Sequence, residues 1–225
     1  MCNKTGRFKV SKAERKERER EMRRNDIIDA AEKLFFSSGY ENVTMDDLAK
    51  ELEMSRAALY LTFKNKEEIY AAIAIRASKI VSRMFGEINQ QERTGIEKIR
   101  FVGSTYYEFY KQYTGYYMAY YHTGMFDING SPDLEELKDI RINSFRMVVD
   151  AVKEGMKDGT IREDIDPEAA TLVMLSMSND ALNLSPVTRM YMENYGLTRE
   201  TLYERTQEMM LRSVENVKRS KKRQA

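Results

Sequence analysis

Residues 27–73 read IIDAAEKLFFSSGYENVTMDDLAKELEMSRAALYLTFKNKEEIYAAI. From Ile27 the apolar residues recur with the period of a helix: Ile27, Ala31, Leu34 and Phe35 share one face, and Ser37-Ser38-Gly39 ends the run with Gly39 at a C-cap position. Thr44 then precedes Met45, Leu48, Ala49 and Leu52 at i, i+3, i+4 and i+7, and Asp47 stands three after Thr44, where a capping-box acid sits. Ser55 caps another short segment, RAALYLTF, and Lys66-Glu67-Glu68 begins a longer helix through Ile69, Ala72, Ile73, Ala77 and Ile80. Two short helices joined by a tight turn form a helix-turn-helix, whose second member is placed to enter a major groove.

On the C-terminal side the same reading continues. Helices are expected at 94–111 and 115–122, at 132–157 opened by Ser131-Pro132-Asp133, at 167–184 opened by Asp166-Pro167-Glu168, and at 198–218 starting from Thr198. Only 11 Gly and 3 Pro occur in 225 residues, too few turn-formers for a sandwich or barrel of many short strands. The expected fold is all-α. A three-helix helix-turn-helix DNA-binding domain occupies 26–70, and a larger helical domain for ligand binding and dimerisation occupies 71–218. The two share a continuous helix at 66–86.

Net charge is +1, so charge alone names no polyanionic partner, and its distribution decides. Residues 1–25 carry ten Lys and Arg against four Glu, which reads either as a basic arm for DNA or as a solvated helix start. Residues 219–225 form a basic tail. Cysteine and histidine occur once each, at Cys2 and His122, which excludes a disulfide framework and a Cys/His zinc cluster. No metal, cofactor or catalytic set is expected, because a single histidine without a nucleophile motif supports no enzyme reading. MCNKTGRFKV has no apolar stretch, and the run Ile69 to Ile75 is cut by Arg76, far short of the roughly 20 residues a membrane helix needs. The expected setting is cytoplasmic, with no membrane partner.

For double-stranded DNA the candidate contacts are Thr44, Ser55, Arg56, Ala57, Tyr60, Thr62, Lys64 and Lys66. Arg56 can reach a guanine edge with two hydrogen bonds while Ala57 lets the backbone approach the groove. Tyr60 and Lys66 are placed as phosphate anchors, and Thr44 serves either as a plain cap or as a further phosphate contact. A second region, 101–126, holds eight of the 14 tyrosines. Tyr106, Tyr110, Tyr113 and Tyr117 form one stripe if the helix runs through Thr114-Gly115. That stripe is either a core face or the wall of a cavity for an aromatic or cationic small molecule. Tyr121, His122, Met147 and Asn179 complete the ligand candidates, with Asn179 and Asp180 facing either the cavity or a dimer partner. Helix 167–184 is apolar around most of its circumference, which points to a homodimer joined through 167–184 and 198–218.

The AA-x-x-LF of the first helix, Gly39, Thr44, Leu48-Ala49, Ser55, Leu59-Tyr60, Phe63 and Lys66-Glu67 together resemble the DNA-binding domain of the TetR family of bacterial and archaeal transcriptional regulators. The resemblance covers 27–73 and extends more weakly to GMKDGTIREDIDPEAA in the second half. It implies a repressor released from a palindromic operator by a small-molecule effector. A constitutive DNA-binding protein or adaptor of the same fold is the alternative. Two positions depart from the pattern: Leu61 replaces an aromatic or His, and Glu53 stands where Gly is common. A left-handed conformation at Glu53 would cost about 1 kcal/mol.

Overall fold

The computed structural model describes residues 11–89, 92–123 and 132–217, and its regular structure is helical apart from one isolated bridge between Ile161 and Glu215. Residues 1–10 with Cys2, Ser131, and the tail 219–225 lie outside the described residues. Helix α1 spans Lys12–Ser38 and so begins well before Ile27. Ser11 accepts from the Glu14 N–H at 3.2 Å while the Glu14 carboxylate accepts from the Ser11 N–H at 2.7 Å, a complete capping box. Residues 12–25 of the basic segment are therefore the exposed first half of α1. Their interleaved signs make pairs such as Arg15–Glu19 at 3.1 Å, which support a helix that has no core to lie on.

Helices α2 (Met45–Glu51), α3 (Arg56–Tyr60) and α4 (Lys66–Gly86) follow. Val43, Leu48, Leu59, Phe63, Ile69 and Ile73 pack on the α1 stripe of Ile27, Ala31 and Phe35 to form the N-terminal core. The rest is α5 (Gly95–Gln112), α6 (Thr114–His122), α7 (Pro132–Asp158), α8 (Pro167–Leu182), α9 (Pro186–Asn194) and α10 (Arg199–Val214). Ala119 of α6 and Leu137 of α7 belong to the N-terminal core, so the second domain closes the first.

A break falls between α5 and α6, as the expected helices 94–111 and 115–122 require, and two further details differ from expectation. The helical phase breaks at Tyr113 (φ −128°, ψ 47°), which divides the tyrosine stripe between α5 and α6. The kink lets α6 lean on α1, where a Cβ at Gly115 would lie 2.5 Å from the Phe36 ring. Helix α9 is additional: Ser185-Pro186 carries the same N-cap and first-turn proline signal as Asp166-Pro167, and Met192 is its one buried side chain while Val187, Met190 and Tyr191 are exposed. In α10 the buried residues are Tyr203, Met210, Leu211 and Val214; of the expected stripe Leu202, Thr206, Met209, Met210, Ser213 and Val217, Met210 is buried while Met209 and Val217 are exposed.

Candidate DNA interface and effector cavity

The helix-turn-helix is built by local chemistry. Thr44 accepts from the Asp47 N–H at 3.2 Å and returns its own N–H and hydroxyl to the Asp47 carboxylate at 2.9 and 2.6 Å. These bonds hold the Asp47 carboxyl below the usual carboxylate range, the Thr44 side chain contributing most. At the turn, the Met54 N–H reaches the Ala49 carbonyl at 3.0 Å, which requires a left-handed residue between them. Glu53 is that residue, with φ 51°. Ser55 then accepts from the Ala58 N–H at 3.2 Å and opens α3.

Thr44, Ser55, Arg56, Ala57, Tyr60 and Lys64 are exposed, and Thr62 is half-buried. Arg56 lies between α2 and α3: its Nε is 3.1 Å from Asp46 and its guanidinium sits over the Tyr60 ring at 5.6 Å. That packing presents the side chain in one orientation ahead of any partner. Lys66 is placed differently from the expected phosphate anchor. Its Nζ donates to the Tyr40 carbonyl at 2.8 Å and rests over the Tyr40 ring at 4.1 Å, so it fastens α4 to the turn after α1 and is half-buried. Leu61, at 86% exposure, is the most solvent-exposed large apolar side chain among the described residues.

Polar ties connect this module to the second domain. Arg76 of α4 bonds Asp29 at 2.6 Å and Glu32 at 2.9 Å on α1, and the Tyr116 hydroxyl on α6 donates to the other Glu32 oxygen at 2.9 Å. Burial and the Glu32 carboxylate push the Tyr116 phenol up to about 12. Arg24 of α1 pairs with Asp133 of α7 and lies over Phe63 at 5.0 Å.

In the second domain α4, α5, α6, α7, α8 and α10 enclose a cavity of about 460 Å³, within the range of small-molecule sites. Tyr106, Tyr121 and Asn179 stand on its wall, and the Tyr106 hydroxyl donates to Asn179 Oδ1 at 2.7 Å. The other sequence candidates lie elsewhere. Tyr117 is fully buried in the packing, with its oxygen bonded by Asn183 and its ring edge-on to Tyr110 at 5.1 Å. Tyr110 lies beneath Arg199, Tyr113 is exposed at the kink, and Met147 packs between two core clusters. His122 borders a different hollow, between α6 and the end of α1. Asp180 is exposed. The tyrosine region is thus mostly aromatic core that borders a cavity along one edge.

Sequence reasoning missed Ile99, Val102, Val148, Met174 and above all Arg141, the one charged side chain on the cavity wall among the described residues. Arg141 shares a helical face with Ser144, Phe145 and Val148, and a charge on an apolar stripe was the available signal. Its guanidinium donates to the Tyr120 carbonyl and sits over the Tyr120 ring at 4.9 Å. Burial pulls it below the ordinary arginine range. Its positive charge opposes the expected cationic ligand.

Comparison with known proteins agrees with this architecture. Residues 27–73 match the profile of the family described as bacterial regulatory proteins, tetR family. The biofilm operon negative transcriptional regulator IcaR of Staphylococcus epidermidis is 45% identical over 47 residues, which are 21% of this chain and 25% of IcaR. This chain thus spans about a quarter of IcaR's length. The uncharacterized HTH-type transcriptional regulator YhgD of Bacillus subtilis is 25% identical over 155 residues, 69% of this chain and 80% of YhgD. The structure of AibR in complex with isovaleryl coenzyme A and operator DNA superposes with a TM-score of 0.63 at 19% identity, covering 83% of this chain and 97% of AibR. Residues 27–73 thus carry the DNA-binding domain of the tetR family of bacterial regulatory proteins, and the helices that enclose the cavity share the fold of solved TetR-family regulators.

Proposed function

We propose that this protein is a repressor that binds a palindromic duplex operator as a homodimer and is released when a small molecule fills the cavity between α5, α7, α8 and α10. The observation that carries this reading is the placement of α4. Its first turn is fastened to the helix-turn-helix through Lys66 and Tyr40, and Phe85 in its last turn lines the cavity. A ligand that shifts the Phe85 end therefore acts on the same rigid element that sets the angle of α3. The Tyr116–Glu32–Arg76 bonds supply a second connection, from the helix that carries Tyr120 and Tyr121 to α1.

Arg56 reads a base edge, Ala57 allows close approach, and Thr44, Ser55, Tyr60, Thr62 and Lys64 contact the phosphate backbone. The exposed face of α8 with Leu172 and Val173, next to Met209 of α10, seats the second subunit. IcaR is a negative regulator and AibR was solved with an acyl thioester and operator DNA, which supports the same division of labour here. A cavity of this size favours a ligand-responsive protein over a constitutive binder. Anisotropy titrations of a selected duplex test it: ligand occupancy should weaken DNA binding by about 5–150-fold, the usual coupling range. Arg56→Ala should relax base preference at one position of each half-site, by about 1–3 kcal/mol. Unchanged DNA affinity at ligand saturation contradicts the release mechanism.

A further inference from the structure

The cavity wall combines apolar surface with a small set of uncommitted hydrogen-bond donors. Its hydroxyls at Ser144, Thr171 and Ser178 donate to carbonyls of their own helices at 3.0, 2.8 and 2.8 Å, and Gln207 donates to Ser178 at 3.1 Å. Arg141 has no carboxylate partner among the described residues, and its Nε is buried without any hydrogen-bond partner. Among the described residues the Tyr120 and Tyr121 hydroxyls donate to no group, and Asn179 uses its oxygen for Tyr106 and keeps its N–H groups. Buried charges are normally paired, so a lone guanidinium among aliphatic and aromatic side chains marks a place for a counter-charge supplied from outside.

We propose that the cavity takes an amphiphilic monocarboxylate, with its carboxylate on the Arg141 guanidinium and its apolar body against Phe85, Ile99, Val102, Val148 and Met174. The inference rests on the effector reading above and specifies its ligand class. One wall cation matches one carboxylate, whereas a phosphate dianion would call for more positive charge than the wall holds. The guanidinium fork suits a planar carboxylate, and the phenols and Asn179 can supply further donors. The bond from Arg141 to the Tyr120 carbonyl near the C-terminal end of α6 gives it a structural role as well. That role places the charge in the cavity without neutralising it.

The experiment uses the delipidated full-length protein and measures heat of binding and melting temperature with three matched series of probes: straight-chain carboxylates from hexanoate to tetradecanoate, their methyl esters, and alkyltrimethylammonium ions, each below its micelle concentration. Wild type should bind one carboxylate length best and its methyl ester about ten-fold or more weaker, since a charge-assisted pair is lost. Arg141→Gln should remove that preference for acid over ester, and Arg141→Lys should restore part of it. A purely structural Arg141 would lower the melting temperature of Arg141→Gln but leave the acid-to-ester ratio unchanged, which overturns the proposal. Val148→Trp, which fills the cavity, should abolish binding of every probe. If esters or ammonium ions bind as well as acids, and Val148→Trp blocks them, the carboxylate assignment falls while the effector reading stands. If no probe of any charge or length binds, both fall. The coenzyme A thioester of the preferred acid separates a free acid from an activated one: tighter binding of the thioester that is indifferent to Arg141→Gln overturns the assignment of the charge.

Discussion

At Glu53 the backbone is left-handed, a conformation in which a Cβ crowds the following carbonyl oxygen, and the turn after α2 nonetheless needs it to close the Met54–Ala49 bond. Glu53→Gly should therefore raise stability by about 0.5–1 kcal/mol, part of the relief being offset by the greater freedom of glycine in the unfolded chain. Chemical denaturation checks this, and a destabilised variant would contradict it. The cap residues Thr44, Ser55 and Asp166 were legible in the sequence because their partners lie within three residues. Lys66 was not, because the Tyr40 carbonyl it bonds stands 26 residues earlier, and Tyr117 was not, because Asn183 stands 66 residues later. Arg141 lies between these cases: its place on an apolar stripe was visible, but not its missing counter-ion.

Among the elements, α5 and α6 gather most of the tyrosines, and burial raises the phenols of Tyr106, Tyr107, Tyr116, Tyr117 and Tyr120. Tyr106 and Tyr117 are pushed well above the usual tyrosine value, as is Tyr203 of α10, while Tyr116 rises to about 12 and Tyr70 of α4 does the same. A phenol whose folded pKa exceeds its unfolded value near 10 keeps its proton in the native state longer than in the unfolded one. Its contribution to stability is complete below about pH 10 and is lost as pH rises through about 12. The protein has no Trp, so phenolate absorbance reports tyrosine without interference. We expect these tyrosines to ionise only with cooperative unfolding above pH 10, and a single reversible titration with the fold intact would contradict the packing described. Long periodic helices such as α4 and α7 were readable from sequence, and so was a break between 111 and 115, while the approach of Gly115 to Phe36 that shapes the kink was not. Helix α9 had its cap signal and an apolar stripe of Val187, Met190 and Tyr191, but that stripe stays exposed and belongs to no core.

For the whole molecule, the N-terminal core includes Ala119 of α6 and Leu137 of α7, so packing joins the helix-turn-helix to the helices that enclose the cavity. The exposed apolar face of α8, with Leu172 and Val173, is the expected dimer seam. Val173→Asp, at a position 57% exposed and absent from the cavity wall, should convert a dimer to a monomer in light scattering without lowering the melting temperature of the monomer fold. A dimer that survives the charge would move the interface elsewhere. Monomerisation should also weaken DNA binding, since two half-sites are held only when both recognition helices act together. The central claim, that α3 of a two-fold dimer reads a defined sequence, is tested most directly by selecting duplexes from a random pool with the full-length protein at physiological salt. The account predicts enrichment of a palindrome whose half-sites are contacted through Arg56, lost in Arg56→Ala; recovery of duplexes with no common sequence, bound equally by wild type and Arg56→Ala, would contradict it.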